Sequence, residues 1–139
     1  MDYFNSDNLY YFAHPYTCKD EKGNNLLKGE EVNFNLCCIR SAELLKRGFA
    51  IYSPICHTHP IHVGDSEFLK NNEYKLWMEL DSILTEKCSA IILAPEWMNS
   101  SGCKKEREFF KEKGLDIWLY EDIIRNYPII YNKENQPIL

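Results

Sequence analysis

The chain has 139 residues, 45% of them apolar, and its 21 acidic residues outnumber 16 basic ones. This length is typical of a single hydrophobic core, so we expect one domain over residues 1–139. The acidic balance, with no separate basic block, argues against a nucleic acid polymer or an anionic membrane as partner, although a small phosphate can bind locally.

The N-terminal segment and the cysteines bear on the cellular compartment. The run MDYFNSDNLYYFAHPYT carries Asp2 where a secretory signal would carry positive charge, and no apolar run approaches the roughly 18 residues of a membrane span. We therefore expect a soluble protein of the cytoplasm. The six cysteines include no C-x-x-C pair, so we predict reduced thiols that fill apolar positions, with a disulfide framework as the alternative.

The first part of the chain is predicted to alternate strand, helix and strand. LYYFAHP, from Leu9, is a short apolar run that Pro15 closes, as in a buried strand. After a polar loop over residues 17–29, apolar residues recur at helical spacing until a cationic turn and a glycine stop at Gly48. FAIYSP is the second strand and ends at Pro54.

The second part continues the alternation. The run CHTHPIHVGDSEF, residues 56–68, is predicted to be a long histidine-rich loop, and a helix follows from about Asn72 to Lys87. SAIILAP is the third and most apolar strand, and the loop EWMNSSG leads from it into a helix that begins near Gly102. DIWLYE is the fourth strand, and a short helix from about Asp122 precedes an irregular C-terminal tail.

This order of elements predicts the fold class and the place of a ligand. Strands alternating with helices of roughly 10 to 18 residues predict an α/β fold: an open, mainly parallel sheet with helices on both faces, of Rossmann or flavodoxin type. Ligands of such sheets bind beyond the carboxyl ends of the strands. Polar loops over residues 13–29, 53–65 and 95–102 leave those ends, so we expect their side chains to converge at one edge.

Glu106 lies about one turn inside the helix that begins near Gly102, with Ser100 or Ser101 as its cap. The helix dipole favours a charged carboxylate there, so we expect Glu106 to be ionised at neutral pH. Considered alone, this residue is better explained by stabilisation of the helix start than by chemistry.

Asp81 makes a chemical role more plausible. It lies four residues after Trp77 and three before Leu84, on the apolar stripe of its helix, where an unpaired carboxylate is costly. Consecutive strand–helix units would bring Asp81 and Glu106 to one cleft, where one carboxylate can attack while the other transfers a proton. The alternative is that Asp81 turns to the rim or caps a neighbouring element.

The histidine-rich run contains the residue types that bind metal ions in proteins. His57, His59 and His62 follow Cys56, but a recognisable second ligand pair is missing, and Pro60 interrupts any helical register. We therefore predict no metal and no cofactor, and we interpret the run as a loop that lines a substrate. A solvated loop without a ligand is the alternative.

Three aromatic residues lie near the carboxyl ends of predicted strands or in the loops that follow. Tyr11, Tyr16 and Trp97 would, together with a carboxylate pair, form a pocket for a planar ring. Packing in the core or at the rim is the alternative for each of them.

Five segments occur in a recognisable order over about residues 9–120: Y-F-A-H-P-Y, L-L-K-R-G, Y-S-P-I, L-D-S-I-L-T-E-K-C-S-A-I-I-L and W-M-N-S-S-G-C-K-K-E. Their order and spacing resemble the nucleoside 2-deoxyribosyltransferase superfamily, which includes deoxynucleoside 5'-monophosphate N-glycosidases. The run S-P-I-C-H-T-H-P, followed by W-M-N-S-S-G, looks most like the short phage and bacterial members of that group.

The resemblance implies roles for individual residues. Glu106 matches the nucleophile that attacks the anomeric carbon of a deoxyribose, Asp81 the acidic residue that assists the departing base, and Tyr11 the tyrosine that positions the nucleophile. Ser100 stands where transferases often carry an aspartate and the monophosphate glycosidases a serine, which favours hydrolysis or a different acceptor over the usual transfer. A nucleoside or nucleotide substrate and a homodimer or larger homo-oligomer are also implied.

The remaining predicted residues are assigned to substrate binding. They come from the loops at the predicted carboxyl edge and are His14, Ser53, His57, His59, Trp97, Ser100 and Gly102. A glycine-rich loop near the phosphate, as some glycosidases have, is missing after Ala13, where residues 14–19 stand instead. The alternatives are cleavage of NAD or another ribosyl ligand, a nucleotide-binding sensor without turnover, and an interaction domain without a ligand.

Overall fold

A computed structural model describes residues 3–4, 7–17, 21–23 and 27–130, and for residues 27–28, 66 and 68–74 it describes the backbone alone. Its one sheet has the strand order β2-β1-β3-β4, and every neighbouring pair is parallel. The strands are β1 (Tyr10–Ala13), β2 (Ile51–Tyr52), β3 (Ala90–Leu93) and β4 (Asp116–Leu119). The predicted single-domain α/β fold with an open parallel sheet is confirmed.

Helices follow the strands along the chain. They are α1 (Leu27–Leu45), α2 (Pro54–Gly64), α3 (Ser66–Glu86), α4 (Ser101–Glu112) and α5 (Tyr120–Asn126), with a short 3-10 turn over Trp97–Asn99 before α4. The structure describes no helix long and apolar enough to cross a membrane.

The glycine stop predicted after the first helix is confirmed. Gly48 has a φ of 85°, the left-handed conformation that glycine adopts without strain. The amide of Phe49 then donates to the carbonyl of Leu44 at 3.1 Å, which closes the C-terminus of α1. A Cβ at Gly48 would approach Ile130 Cδ1 to 2.9 Å, so the end of the Ile130 side chain would have to shift.

The prediction of a loop over residues 56–68 is wrong, because α2 and the start of α3 occupy that region. The side chain of Ser53 accepts a hydrogen bond from the amide of Cys56 at 3.3 Å, and Pro54 takes the first helical position; both features favour a helix start. Pro60 removes one backbone donor inside α2, but the capped start and buried Ile55 hold the helix to the core.

Two further boundaries differ from the prediction. Helix α3 begins at Ser66 rather than near Asn72, and α5 begins at Tyr120 rather than near Asp122. In both cases the helix starts directly after the preceding element, with almost no connecting loop. Residues 131–139 of the predicted irregular tail lie outside the described residues.

Alternation along the strands divides the core into two layers. Phe12 and Ile92 pack on one face of the sheet, with α1, α2 and α5, whereas Tyr11 and Ile91 pack on the other face. That second face is covered by α4, through Cys103 and Phe110, and by Cys88, which lies between α3 and β3. The side chain of Tyr11 is therefore directed towards α4.

The cysteines only partly follow the prediction. Cys37, Cys88 and Cys103 are buried fillers, but Cys38 is exposed and Cys56 is half-buried. All five are free thiols, and Cys18 lies outside the described residues.

Candidate active site

The structure brings the three predicted catalytic residues together on the α4 face of the sheet. Tyr11 is buried in β1, and its hydroxyl group hydrogen-bonds the carboxyl group of Glu106. Asp81, from α3, lies close enough that its charge acts on both Tyr11 and Glu106. Two carboxyl groups and a phenol from three separate elements thus share one site.

Helix α4 presents Glu106 to the sheet because its start and its inner face are both fixed. The side chain of Ser100 caps the helix by accepting a hydrogen bond from the amide of Cys103 at 3.2 Å. Cys103 and Phe110 are buried, and the ring of Phe110 lies 5.8 Å from that of Tyr11. Glu106 falls three residues after Cys103 and four before Phe110, so all three share the inner face.

The expectation that Glu106 is ionised at neutral pH is wrong. Part of the side chain is accessible, but protein surrounds its carboxyl group, and this burial raises its pKa to about 8. The charge of Asp81 raises the pKa further, whereas the hydrogen bond from Tyr11 lowers it. The helix dipole, which fades beyond the first turn, is too weak to offset the loss of water around this carboxyl group.

Asp81 titrates below Glu106. Burial raises the pKa of Asp81 to about 6, and the nearby His57 opposes this shift. Burial and the two carboxylates hold the pKa of Tyr11 far above its usual range, so the phenol remains a hydrogen-bond donor. Between about pH 6 and pH 8 the pair of carboxyl groups therefore binds one proton in total.

At and near Asp81, three buried polar atoms have no hydrogen-bond partner among the described residues. They are Tyr52 Oη, Trp77 Nε1 and Asp81 Oδ1. Such an atom costs roughly 1–3 kcal/mol unless a ligand or water satisfies it. Tyr52 and Trp77 are not among the site residues predicted from the sequence. The register of β1 and β2 places Tyr52 opposite Tyr11, so strand pairing was the signal that could have found it.

His57 belongs to this site, whereas His14 does not. The ring of His57 lies 6.2 Å from that of Tyr52, and its charge acts on Asp81. His14 is buried on the other face of the sheet, beside Phe12. Its Nδ1 lies 2.8 Å from the Pro15 carbonyl oxygen and its Nε2 lies 2.8 Å from Arg40 Nη1, so both ring nitrogens have protein partners.

His59 and Ser53 also have partners away from the carboxyl groups. The Nδ1 of His59 lies 2.7 Å from the hydroxyl of Tyr16, and its ring stacks on Phe34 at 4.3 Å. Ser53 is buried, caps α2 and lies 3.2 Å from Cys37 Sγ. The structure thus gives both residues structural contacts on the α1 side.

Trp97, Ser100 and Gly102 lie on the turn that leads from β3 to Glu106. Trp97 is half-buried against the core of the Tyr11 face, and the guanidinium of Arg107 lies 5.4 Å from its ring centre. Gly102 is exposed in the first turn of α4 and leaves its backbone accessible. These three residues are positioned beside the carboxyl pair rather than within it.

Among the described residues, neither a metal centre nor the open groove of the structure coincides with the carboxyl pair. Within the part of the chain that the structure describes, no three His, Cys, Asp or Glu side chains form a group that could hold a metal ion. An open groove of about 560 Å³ lies at the edge of the sheet, between β4 and α5, and does not include Asp81 or Glu106. Its lining is Ile117, Trp118, Leu119, Asp122, Asn126 and Tyr127.

Comparisons with known proteins identify the family of this chain but no reaction. A search of curated proteins found no match to this chain. Residues 8–122, which include β1 to β4 and all the residues of the candidate site, match the family described as Domain of unknown function (DUF1937), and the chain therefore belongs to that family.

Proposed function

We propose that this protein cleaves the N-glycosidic bond of a 2'-deoxynucleoside or its 5'-monophosphate, with Glu106 as the nucleophile. The observation that carries the proposal is the enclosed Asp81 and Glu106 pair, which binds one proton near neutral pH and is contacted by the Tyr11 phenol. The resemblance of the sequence to nucleoside 2-deoxyribosyltransferases supplies the substrate class.

The chemistry requires one ionised and one protonated carboxyl group. A carboxylate oxygen of Glu106 bonds to C1' of the sugar while the electron pair of the C1'–N bond leaves with the base, and Asp81 donates a proton to that base. A water molecule or a second base then displaces Glu106, with Asp81 accepting the proton. The pair already holds the one proton needed, and attack by Glu106 requires that this proton reside on Asp81.

Neighbouring groups support this division of roles. Tyr11 donates to Glu106 and stabilises its ionised form, in which the carboxylate can attack. The unpaired Trp77 Nε1 lies one turn before Asp81 on α3 and the unpaired Tyr52 Oη lies on β2, and each could pair with the polar edge of a base. His57 completes that side of the site.

The direct test measures release of free base by chromatography from deoxynucleosides, deoxynucleoside monophosphates and NAD. We expect Glu106→Gln to reduce release by at least about 1,000-fold, because the reaction loses its nucleophile. Glu112→Gln is the matched control, since Glu112 is exposed near the end of the same helix. Full activity of Glu106→Gln would overturn the assignment of Glu106 as the nucleophile. Faster release of base from NAD than from deoxynucleosides would show that the proposed substrate class is wrong.

Hydrolysis is proposed over transfer because Ser100 stands where transferases often carry aspartate. A second free base in the reaction should therefore leave the rate of sugar release to water largely unchanged. Dominant base exchange would contradict this. A non-catalytic sensor predicts a third outcome, in which a nucleotide raises the melting temperature but no product forms after long incubation.

We also propose that the protein acts as a homo-oligomer in the cytoplasm. Exposed apolar side chains on α2 and α3 support the first part, since these helices carry His57 and Asp81: Ile61, Val63, Met78 and Ile83. Analytical ultracentrifugation should detect at least a dimer, which Ile83→Glu should weaken. A monomer at all concentrations would contradict the proposal.

A further inference from the structure

Three thiols meet where α1 packs against α2, on the opposite side of the sheet from Glu106. Cys37 and Cys38 are adjacent on α1, and Cys56 lies in the first turn of α2. Cys56 Sγ is 3.6 Å from Cys38 Sγ and 3.8 Å from Cys37 Sγ. The proposed glycosidic reaction uses none of them, and they do not form a group suited to a metal ion.

The surroundings of Cys56 favour its thiolate. Its sulfur lies at the N-terminus of a helix, where the amide dipoles stabilise negative charge. The thiol of Cys38 and the hydroxyl of Ser41, 3.8 Å away, each carry a proton that the Cys56 sulfur can accept, and Cys37 Sγ is a further hydrogen-bond partner of Cys56 Sγ at 3.8 Å. These hydrogen bonds, led by that of Cys37, lower the pKa of Cys56 below its usual range, although burial opposes them.

Cys38 is the thiol placed to react with Cys56 after its oxidation. It is exposed and is the nearer of the two sulfurs on α1. Cys37 is fully buried and lies 3.2 Å from the hydroxyl of Ser53, the cap of α2, so it is held in the core. A disulfide requires sulfurs about 2.05 Å apart, and the side chains of Cys38 and Cys56 need to approach by only about 1.5 Å to form one.

We propose that Cys56 is a redox modification site: a hydroperoxide oxidises it to a sulfenic acid, which condenses with Cys38 to a disulfide between α2 and α1. In the first step the Cys56 sulfur attacks the peroxide, the O–O bond breaks, and the released alkoxide or hydroxide takes a proton from solvent. The sulfur is oxidised by two electrons and the peroxide is reduced to alcohol or water. The Cys38 sulfur then displaces the hydroxyl group, which leaves as water with the thiol proton of Cys38.

The test treats the full chain with hydrogen peroxide, blocks free thiols and maps the tryptic peptides by mass spectrometry. Residues 29–40 carry Cys37 and Cys38, and residues 48–70 carry Cys56 as their only cysteine. We expect these two peptides to be joined, with the loss of two hydrogen atoms, and to separate on reduction. Cys56 should react at least about tenfold faster than the buried Cys88.

Variants identify the partner of Cys56. Cys38→Ala should prevent the cross-link and leave a Cys56 sulfenic acid that dimedone traps, and Cys38→Ser is the second variant if the alanine protein does not fold. Cys88→Ala is the matched control and should cross-link like the parent chain, because Cys88 lies on the other face of the sheet. The proposal is overturned if peroxide yields neither cross-link nor dimedone adduct, if Cys38→Ala still forms the cross-link, or if the disulfide joins two chains.

Discussion

Two helices of this protein begin with the same local motif, S-x-x-C, directly after a strand or its connecting turn. In S-P-I-C, residues 53–56, and in S-S-G-C, residues 100–103, the serine side chain accepts a hydrogen bond from the cysteine amide three residues later. The donor–acceptor distances are 3.3 Å and 3.2 Å. The sequence therefore builds two closely similar caps, which we term the α2 turn (residues 53–57) and the α4 turn (residues 100–106).

Their chemistry differs because different elements pack against them. In the α2 turn, hydrogen bonds from thiols and a hydroxyl group of α1 lower the pKa of Cys56. In the α4 turn, Cys103 is buried in the core of the Tyr11 face, and this burial raises its pKa to about 12. A cap thus fixes where a helix starts, whereas the neighbouring layer decides whether its side chains are charged.

The largest expected effect is a contrast in alkylation. At pH 7 iodoacetamide should label Cys56 on the order of 1,000-fold faster than Cys103, because only the α2 turn favours the thiolate and exposes it. Mass spectrometry gives both rates in one sample, from the peptide over residues 48–70 and from fragment ions that separate Cys103 from Cys88 in the peptide over residues 88–104. Equal labelling rates of Cys56 and Cys103 in the folded protein would contradict this prediction. In urea, where both thiols are exposed, the two rates should be equal, which is the control.

The second effect concerns the buried carboxyl group of the α4 turn. The pKa of Glu106 rises from an ordinary 4.5 to about 8 in the folded protein, so the folded state binds an extra proton and stability falls as the pH rises between these values. Glu106→Gln should have little effect on stability near pH 4 and stabilise the protein by about 2–4 kcal/mol above pH 8. Urea unfolding at both pH values measures this, and a pH-independent difference would contradict it.

The third effect is the pH dependence of base release. With one carboxyl group ionised and the other protonated, kcat/KM should follow a bell-shaped profile with limbs near pH 6 and pH 8. Outside the limbs the rate should fall roughly tenfold per pH unit. Tyr11→Phe removes the hydrogen bond that lowers the pKa of Glu106, so the alkaline limb should move upward. An alkaline limb that does not move would contradict the effect of the Tyr11 hydroxyl on the pKa of Glu106.

The fourth effect tests whether the two caps are equivalent. Ser100→Ala and Ser53→Ala should each destabilise the protein by about 1 kcal/mol, because an amide at each helix start loses its acceptor. Ser53→Ala should also remove a partner of Cys37 and slow the labelling of Cys56, whereas Ser100→Ala should not. Ser101→Ala, exposed in the first turn of α4, is the control and should change stability little.

The smallest effect is at Gly102. Its φ is not positive, and a Cβ there would lie 3.8 Å from Ser100 Oγ, an ordinary contact. Gly102→Ala should therefore stabilise α4 by about 0.5 kcal/mol in thermal unfolding. If the substrate passes close to this backbone, as its predicted role requires, KM rises several-fold while kcat is kept. An unchanged KM would leave Gly102 outside the substrate site.

Much of the fold was predictable because its signals are local. The apolar runs around Tyr11 and Ile91 predicted buried parallel strands, and the glycine stop at Gly48 ended α1 where expected. Helix α2 was missed because Pro54 and Pro60 were interpreted as breaks, although Pro54 after Ser53 also fits a capped helix start. Both interpretations agree with the local sequence, and the packing of Ile55 favours the helix.

The candidate site was predictable only in part. Helical spacing placed Asp81 on an apolar stripe, and the family order paired it with Glu106 and Tyr11, which the structure brings together. Histidine-rich composition grouped His57 with His59, but α2 directs them to different neighbours. Tyr52 was missed because its relevance depends on the register between β1 and β2, two strands separated by about 40 residues of chain.

The two S-x-x-C motifs show which features the sequence determined and which the tertiary structure decided. The sequence by itself determined the parallel α/β order, a helix cap at Ser100 or Ser101 and the presence of an acidic residue one turn inside α4, because turns, caps and periodicity depend on near neighbours. Only the tertiary structure decided that Glu106 holds a proton near neutral pH while Cys56 favours its thiolate. The physical reason is that desolvation and hydrogen bonding depend on which distant elements surround a group, and α1, α3 and β1 reach these two turns only in the folded chain.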